Sequence, residues 1–443
     1  MKLDELLENV SIIGAAGKMG SGISVLIAQE VAKLKIKNPD KTYKVNLIDV
    51  HQQGIEGLRQ YIKTQTTKVA EKSIVSLRRT YESREDLVEN WEIIDAFVDE
   101  TLGVLNFGTD FGLAKNSKLV FEAIIENEEL KIKLLKELLV LCPEDAFFFT
   151  NTSSIPIGFL DKEVGLQGKI IGYHFYNPPI VQKLVELISS EETDKELKDI
   201  ANELGKRFGK KLVPANDISG FIGNGHFIRD GLYAISEVEK LKAEYSLAGA
   251  IYIMNRISQD FLIRPMGIFQ LIDYVGIDVF QCILRVMSKH LNDPNLHSEL
   301  IDRLMEKNIR GGQRADGSQK DGFLKYDKNR PVGVYDVEKS EYTGLDLEWK
   351  AKIDAELGNP PAGFSPWRKL VGEPNKANLL STYFGNLRSG DGFGIELART
   401  YLARSKKIGK RLVQDGVANS ADDVNAVLTN GFFWLYGPIN DYI

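Results

Sequence analysis

The apolar positions of the chain change period along its length. Up to about residue 213 they come as short unbroken runs separated by longer amphipathic stretches. Val10 to Ile13 is one run, Tyr43 to Val50 a second and Leu119 to Ile125 a third; a fourth, AFFFT, leads into the polar cluster Asn151-Thr152-Ser153-Ser154. Short apolar runs of this kind read as buried strands, and a 3.6-residue pattern between them reads as helix. Their alternation predicts an α/β Rossmann-type domain over residues 1–213. Within it, residues 51–117 are rich in Lys, Arg and Glu and helical in pattern, which reads as a solvated arm. The insert KIKNPDKTY reads as a polar surface turn between a helix and a strand.

After Pro214 the period is helical. DISGFIGNGHFIRDGLYAISEVEKL and DFLIRPMGIFQLIDYVGIDVFQCILRVM predict an all-α domain over 214–326. Residues 327–380 are polar and rich in Gly and Pro, and read as a long linker with some local structure. The helical pattern returns over 381–443, where LYGPI (Leu435 to Ile439) stands as PMGIF (Pro265 to Phe269) stood before. That predicts a degenerate second copy of the helical domain. A chain of 443 residues exceeds what one hydrophobic core serves, in keeping with several domains.

Composition narrows the class. Apolar residues at 43% and charged residues at 27% describe a globular chain. A net charge of −6 without a long basic run argues against nucleic acid as partner. Cys142 and Cys282 form neither a metal-ligand spacing nor a disulfide framework, so no metal site and a reducing compartment are expected. The N-terminus is too acidic and too soon broken by glycine for a signal peptide, and no apolar stretch approaches membrane-spanning length. The expectation is a soluble, cytoplasmic protein.

Two stretches carry candidate chemistry. In VSIIGAAGKMGSGIS, a strand, a glycine-rich turn and a helix follow one another, and the next strand ends in Asp49. This order predicts a dinucleotide site. Gly14 turns the chain off the strand, Gly17 leaves room for a pyrophosphate at the helix N-terminus, and Gly20 lets helix and strand pack closely. Lys18 and Met19 complete the cofactor-side turn. Asp49 accepts ribose hydroxyls and repels the extra phosphate of NADP, so NAD is the expected cofactor. The loop is one residue longer than the common fingerprint, and Asp49 follows at a longer interval than usual. The second stretch, GYHFYNPPIVQKLVELI, sets His174 in one apolar run and Glu186 in the next, with the turn signal Asn177-Pro178-Pro179 between them. Either the histidine is a core residue satisfied by an acid, or it is a base held by its acid. The residue pattern alone leaves both open.

FEAIIEN, NTSSIPI, GYHFYNPP, KLVELI, SGFIGN and PMGIFQLIDYVG resemble the 3-hydroxyacyl-CoA dehydrogenase family, and the likeness runs from about residue 10 to about 326. Ser153, His174, Glu186 and Asn224 stand 21, 12 and 38 positions apart, the layout of that family's active site. The resemblance implies NAD-dependent oxidation of a (3S)-3-hydroxyacyl-CoA, with an acyl-CoA as small-molecule partner. His174 would be the general base, Glu186 its orienting acid, and Ser153 and Asn224 the ligands of the substrate oxygens. Glu126, Lys131, Ser153 and Asn177 would lie at the cofactor, and Lys68 and Lys72 on the arm would meet the CoA phosphates. The chain departs from the family where Gly225 and His226 follow Asn224, since the family has Arg directly after the Asn; His226 is expected to face solvent or to pack. The apolar VNAVLTNGFFWLYGPI is expected to pack on the first helical domain of the same chain, with the oligomeric state open. Two other readings remain: a dehydrogenase of another 3-hydroxy acid such as a sugar acid, and a non-catalytic NAD-binding structural or sensor protein.

Overall fold

The apolar runs of the first half pair into one sheet because each is buried on both faces and must find backbone partners on both edges. The computed structural model describes residues 3–314, 317–346 and 348–443. The chain divides into two units, Met1–Asp217 and Ile218–Ile443.

In the first unit, β1 (Asn9–Ile13), β2 (Lys44–Ile48), β3 (Leu105–Gly108), β4 (Leu119–Glu122), β5 (Phe147–Thr150), β6 (Ile170–Phe175), β7 (Leu184–Ser189) and β8 (Lys211–Asn216) lie in the order β3-β2-β1-β4-β5-β6-β7-β8. The first six in that order are parallel, as a doubly wound dinucleotide fold requires. β7 reverses direction against β6, and β8 runs parallel to β7. Around the sheet pack α1 (Leu3–Leu6), α2 (Lys18–Lys37), α3 (Gln52–Lys72), α4 (Ile74–Thr80), α5 (Asn90–Gly103), α6 (Glu128–Leu141), α7 (Ile157–Val164) and α8 (Lys195–Arg207).

Three details differ from the sequence expectation. The charged stretch 51–117 holds the edge strand β3 as well as helices; its four residues, LNFG, are only half-buried and give no apolar run. The strands stop earlier than Val50 and Ile125, which both project into solvent. The first unit extends to Asp217, because Pro214 sits inside β8, opposite Leu187. A proline is tolerated there since β8 is the edge of the sheet. The expected polar turn after α2 is present at residues 38–43.

The second unit opens with α9 (Gly223–Arg256), kinked at Ser246, then α10 (Ile268–Val275), α11 (Ile277–Leu291) and α12 (Glu299–Glu306). The stretch read as a linker is more ordered than its Gly and Pro content suggests. It carries most of an antiparallel sheet of β9 (Leu324–Asp327), β10 (Arg330–Asp336) and β11 (Glu341–Gly344), so this unit is not purely helical. The two residues between β9 and β10, Lys328 and Asn329, both have positive φ, the conformation of a tight hairpin. Buried Asp273 on α10 pins the sheet by accepting hydrogen bonds from Phe323 N, Leu324 N and the Tyr326 hydroxyl. Then follow α13 (Glu348–Leu357), α14 (Trp367–Leu370), α15 (Lys376–Ser389), α16 (Phe393–Gln414) and α17 (Ala421–Gly431).

Helices α16 and α17 pack on α9, and Ala398, Tyr401 and Leu402 of α16 share one core with it. The Tyr383 hydroxyl donates to Phe261 O at 2.8 Å and the Tyr436 hydroxyl to Leu262 O at 2.7 Å. One clasp occurs twice. Asn255 Oδ1 accepts from Phe269 N and Gln270 N, and a Cβ on Gly267 would lie 2.2 Å from that oxygen. Asn425 Oδ1 accepts from Ile439 N, and a Cβ on Gly437 would lie 2.1 Å from it. The Asn–Gly interval is the same in both, 255 to 267 and 425 to 437. Among the described residues, no helix is long and apolar enough to cross a membrane.

Deleting residues 381–443 should bare the face of α9 and the 261–264 turn that these helices cover. The truncated protein should aggregate or self-associate in light scattering. A well-folded monomer would show that the cover is dispensable.

Candidate functional site

The dinucleotide end is built by steric necessity. Gly14 has φ +77°, and a Cβ there would lie 2.7 Å from Ala123 O; a Cβ on Gly20 would lie 2.0 Å from Gly14 O. Neither position accepts a side chain without moving backbone. Gly17 caps α2 without a side-chain bond, which leaves the helix N-terminus open to an anion. Lys18 is exposed on the first turn, while Met19 packs into the core beneath the sheet. Asp49 is buried at the end of β2, and its carboxylate accepts from Ala16 N at 3.0 Å and His51 N at 3.1 Å. It thereby ties the glycine turn to the second strand. These residues fit an adenosine ribose and a pyrophosphate.

Beyond β4 and β5 lies a second cluster. Glu126 Oε1 accepts from the Thr152 hydroxyl and from N and Oγ of both Ser153 and Ser154, at 2.8–3.1 Å. Burial alone would raise this carboxyl; the charge of Lys131 and the donated bonds outweigh it and hold it below its ordinary range. Glu126 precedes α6 rather than sitting on it, so Glu126 and Lys131 are not a surface helix pair. Lys131 is 1% exposed and binds Glu122 Oε1 at 2.7 Å, with Glu126 Oε2 at 3.7 Å. The sequence reading missed Glu122; its signal was an acid closing an otherwise apolar strand. The serine cluster does not cap α7, whose first N–H groups, Ile157 and Gly158, donate to Asp217. Asp217 was also unforeseen.

The reversal at β7 brings the histidine and the acid together. In the β6–β7 register His174 pairs directly with Glu186. Residues opposite one another on antiparallel strands share a face with Cβ atoms about 4.5–5.5 Å apart. His174 Nδ1 lies 3.7 Å from Glu186 Oε1, adjacent but longer than a hydrogen bond, and Glu186 is fully buried. The Tyr176 hydroxyl donates to the same Oε1, and the rings of Tyr176 and His174 are 5.0 Å apart. Asn177 starts the turn between the strands. Lys210 holds that turn by donating to Pro179 O at 2.5 Å and Gln182 O at 2.6 Å. Burial pulls the Lys210 amine down to about 8. Gly22 on α2 makes room for the Pro179 ring, which a Cβ would meet at 2.7 Å.

Lys68 and Lys72 stand exposed one turn apart on α3. Asn224 is on the first turn of α9 in the second unit. His226 does not face solvent: it is fully buried, within 3.2 Å of Ser405 O and edge-on to Trp434, and burial takes its pKa down to about 4.

Comparison with known proteins covers both units. Residues 9–218 match the family described as 3-hydroxyacyl-CoA dehydrogenase, NAD binding domain, and residues 255–326 match the 3-hydroxyacyl-CoA dehydrogenase C-terminal domain. A probable 3-hydroxybutyryl-CoA dehydrogenase of Deinococcus radiodurans is 29% identical over 316 residues, 71% of this chain and 99% of that protein. A putative fatty acid oxidation complex trifunctional enzyme of Rickettsia prowazekii is 25% identical over 442 residues, 98% of this chain and 52% of that protein. The crystal structure of 3-hydroxybutyryl-CoA dehydrogenase from Escherichia coli K12 has the same fold over 98% of this chain and 90% of that one, with a TM-score of 0.63 at 22% identity.

The buried ion pair gives a stability prediction. Lys131→Met strands Glu122 without its cation, and breaking such a pair costs about 3–5 kcal/mol. Urea unfolding should show a lower midpoint at unchanged m-value. An unchanged midpoint would mean that Glu122 does not depend on Lys131.

Proposed function

The chain belongs to the 3-hydroxyacyl-CoA dehydrogenase family and is an NAD-dependent oxidoreductase of that family; within it, we propose that His174 and Glu186 are the catalytic pair that oxidises a (3S)-3-hydroxyacyl-CoA to the 3-oxoacyl-CoA. NAD supplies the hydride acceptor when bound. His174 takes the proton of the C3 hydroxyl, and the oxygen's freed electron pair closes the carbonyl. Glu186 orients the imidazole through Nδ1 and stabilises the imidazolium that forms. Ser153 and Asn224 position the substrate oxygens. Glu126, held by five donors and backed by Lys131, fixes the 152–154 loop that carries Ser153 and, with Asn177, borders the nicotinamide. Gly14, Gly17, Lys18, Met19, Gly20 and Asp49 hold the rest of the cofactor, and Lys68 and Lys72 meet the CoA phosphates. The observation that carries this reading is the direct cross-strand pairing of His174 with Glu186.

Oxidation of NADH by acetoacetyl-CoA, followed by absorbance, tests it. His174→Gln should lower kcat by ~10²–10⁴-fold while NADH binding stays nearly intact. Glu186→Gln should also lower kcat strongly. Near-normal kcat at saturating substrate in either variant would reject the pair.

Cofactor choice is a separate prediction. The Asp49 carboxylate opposes a 2′-phosphate, and no Arg follows in DVHQQG to offset it. NADH should therefore exceed NADPH in kcat/KM; equal values would overturn the assignment.

We further propose that residues 381–443 are a second copy of the helical domain that supplies, within one chain, a cover for the first. The repeated Asn–Gly clasp supports this. A cytoplasmic setting accords with the two free thiols, Cys142 and Cys282.

A further inference from the structure

We propose that Tyr176 is a positioning residue of the dyad: its phenol holds the Glu186 carboxylate and limits how strongly that acid favours a protonated His174. The proposal rests on the catalytic reading of His174 and Glu186 and extends it by a third member.

Three observations place Tyr176 in this role. Its hydroxyl donates to Glu186 Oε1, the same oxygen that lies 3.7 Å from His174 Nδ1. The phenol therefore bonds the carboxylate oxygen that faces the imidazole. Its ring stands 5.0 Å from the imidazole, so it bounds the space in which His174 can turn. And the phenol stays protonated, because burial, and then the charge of Glu186, raise its pKa well above the ordinary value. It is thus a fixed donor rather than a second base.

Several neighbours within the first unit are apolar or engaged elsewhere. Across β7, the β8 residue paired with Glu186 is Val213. On the far side, β5 pairs with β6 through Phe148, Phe149 and Thr150. Helix α8 turns an apolar face to the sheet, and Asp161 on α7 is taken by Gly168 N.

A hydrogen bond donated to a carboxylate disperses its charge. Without it, Glu186 presents more negative charge to His174, and the imidazolium is favoured. The imidazole must be neutral to accept the substrate proton. Tyr176→Phe should therefore move the acid limb of the kcat/KM pH profile for oxidation to higher pH. Phe keeps the ring, so packing against His174 is retained, and NADH binding measured by fluorescence should be unchanged. Above the limb, the loss should be far smaller than the ~10²–10⁴-fold expected of His174→Gln. A purely structural tyrosine would lower kcat or stability without moving the limb.

The experiment measures pH profiles of the full-length protein and of Tyr176→Phe, with His174→Gln assayed beside them. A limb displaced upward, with NADH binding intact, supports the proposal. An unmoved limb beside an inactive His174→Gln overturns it and leaves the dyad standing. A fully active His174→Gln overturns both.

Discussion

The site depends on one reversal of strand direction. Six strands run parallel, and a parallel sheet brings residues together only through crossovers of a dozen or more residues. β7 instead returns beside β6 through a short turn, so His174 and Glu186 face each other across one ladder. A slip of one residue would turn Glu186 to the other face of the sheet. The register therefore needs pinning at the turn, where pairing alone is weakest. Lys210 does so from the start of β8 with two backbone carbonyls, and Pro179 seats against Gly22 on the helix that follows the glycine turn. The turn between the dyad strands is thus tied to the helix at the dinucleotide end.

Several of the buried charges are placed with a counterpart. An unpaired charge away from water costs several kcal/mol, so placement of one acid dictates placement of its partner. Lys131 is held by Glu122 below and approached by Glu126 above. Glu126 in turn spends one oxygen on the whole 152–154 loop. Asp49 is held by backbone N–H groups of the glycine turn and of His51 rather than by a cation. In the second unit Arg264 binds Asp230 at 2.7 Å and stacks on Trp434.

What could be read from sequence follows from the range of the interactions involved. The glycine turn and the strand runs are local or periodic signals, and they were legible; the residue pattern alone left the role of His174 and Glu186 open. β3 was not legible, because four half-buried edge residues carry no period. The β9–β11 sheet was hidden by short strands, LKYD, RPVGVYD and EYTG, that hold no apolar run and pack on α9 and α10. Glu122 and Tyr176 were passed over for a different reason. A strand sequence fixes which face a residue takes, but the partner its polar tip reaches depends on the neighbouring strand and loop. The 152–154 cluster shows the same gap: it is gathered by Glu126, and the first N–H groups of α7 donate to Asp217, some sixty residues away in sequence.

The departure from the family pattern after Asn224 also becomes intelligible. Where the family has Arg, this chain has Gly225, and a Cβ there would stand 3.0 Å from Leu412 Cδ2. A side chain at this position would press on Leu412 of α16, which would have to give way. The next residue, His226, is sealed between Ser405 and Trp434, both from the C-terminal segment. Burial keeps it neutral at physiological pH, so it adds no further unpaired charge beside Arg264. The small residue and the buried histidine are thus two consequences of one event, the docking of α16 on α9. The glycine that weakens the helix on propensity grounds, by roughly 1 kcal/mol relative to alanine, is the residue that lets the two helices approach.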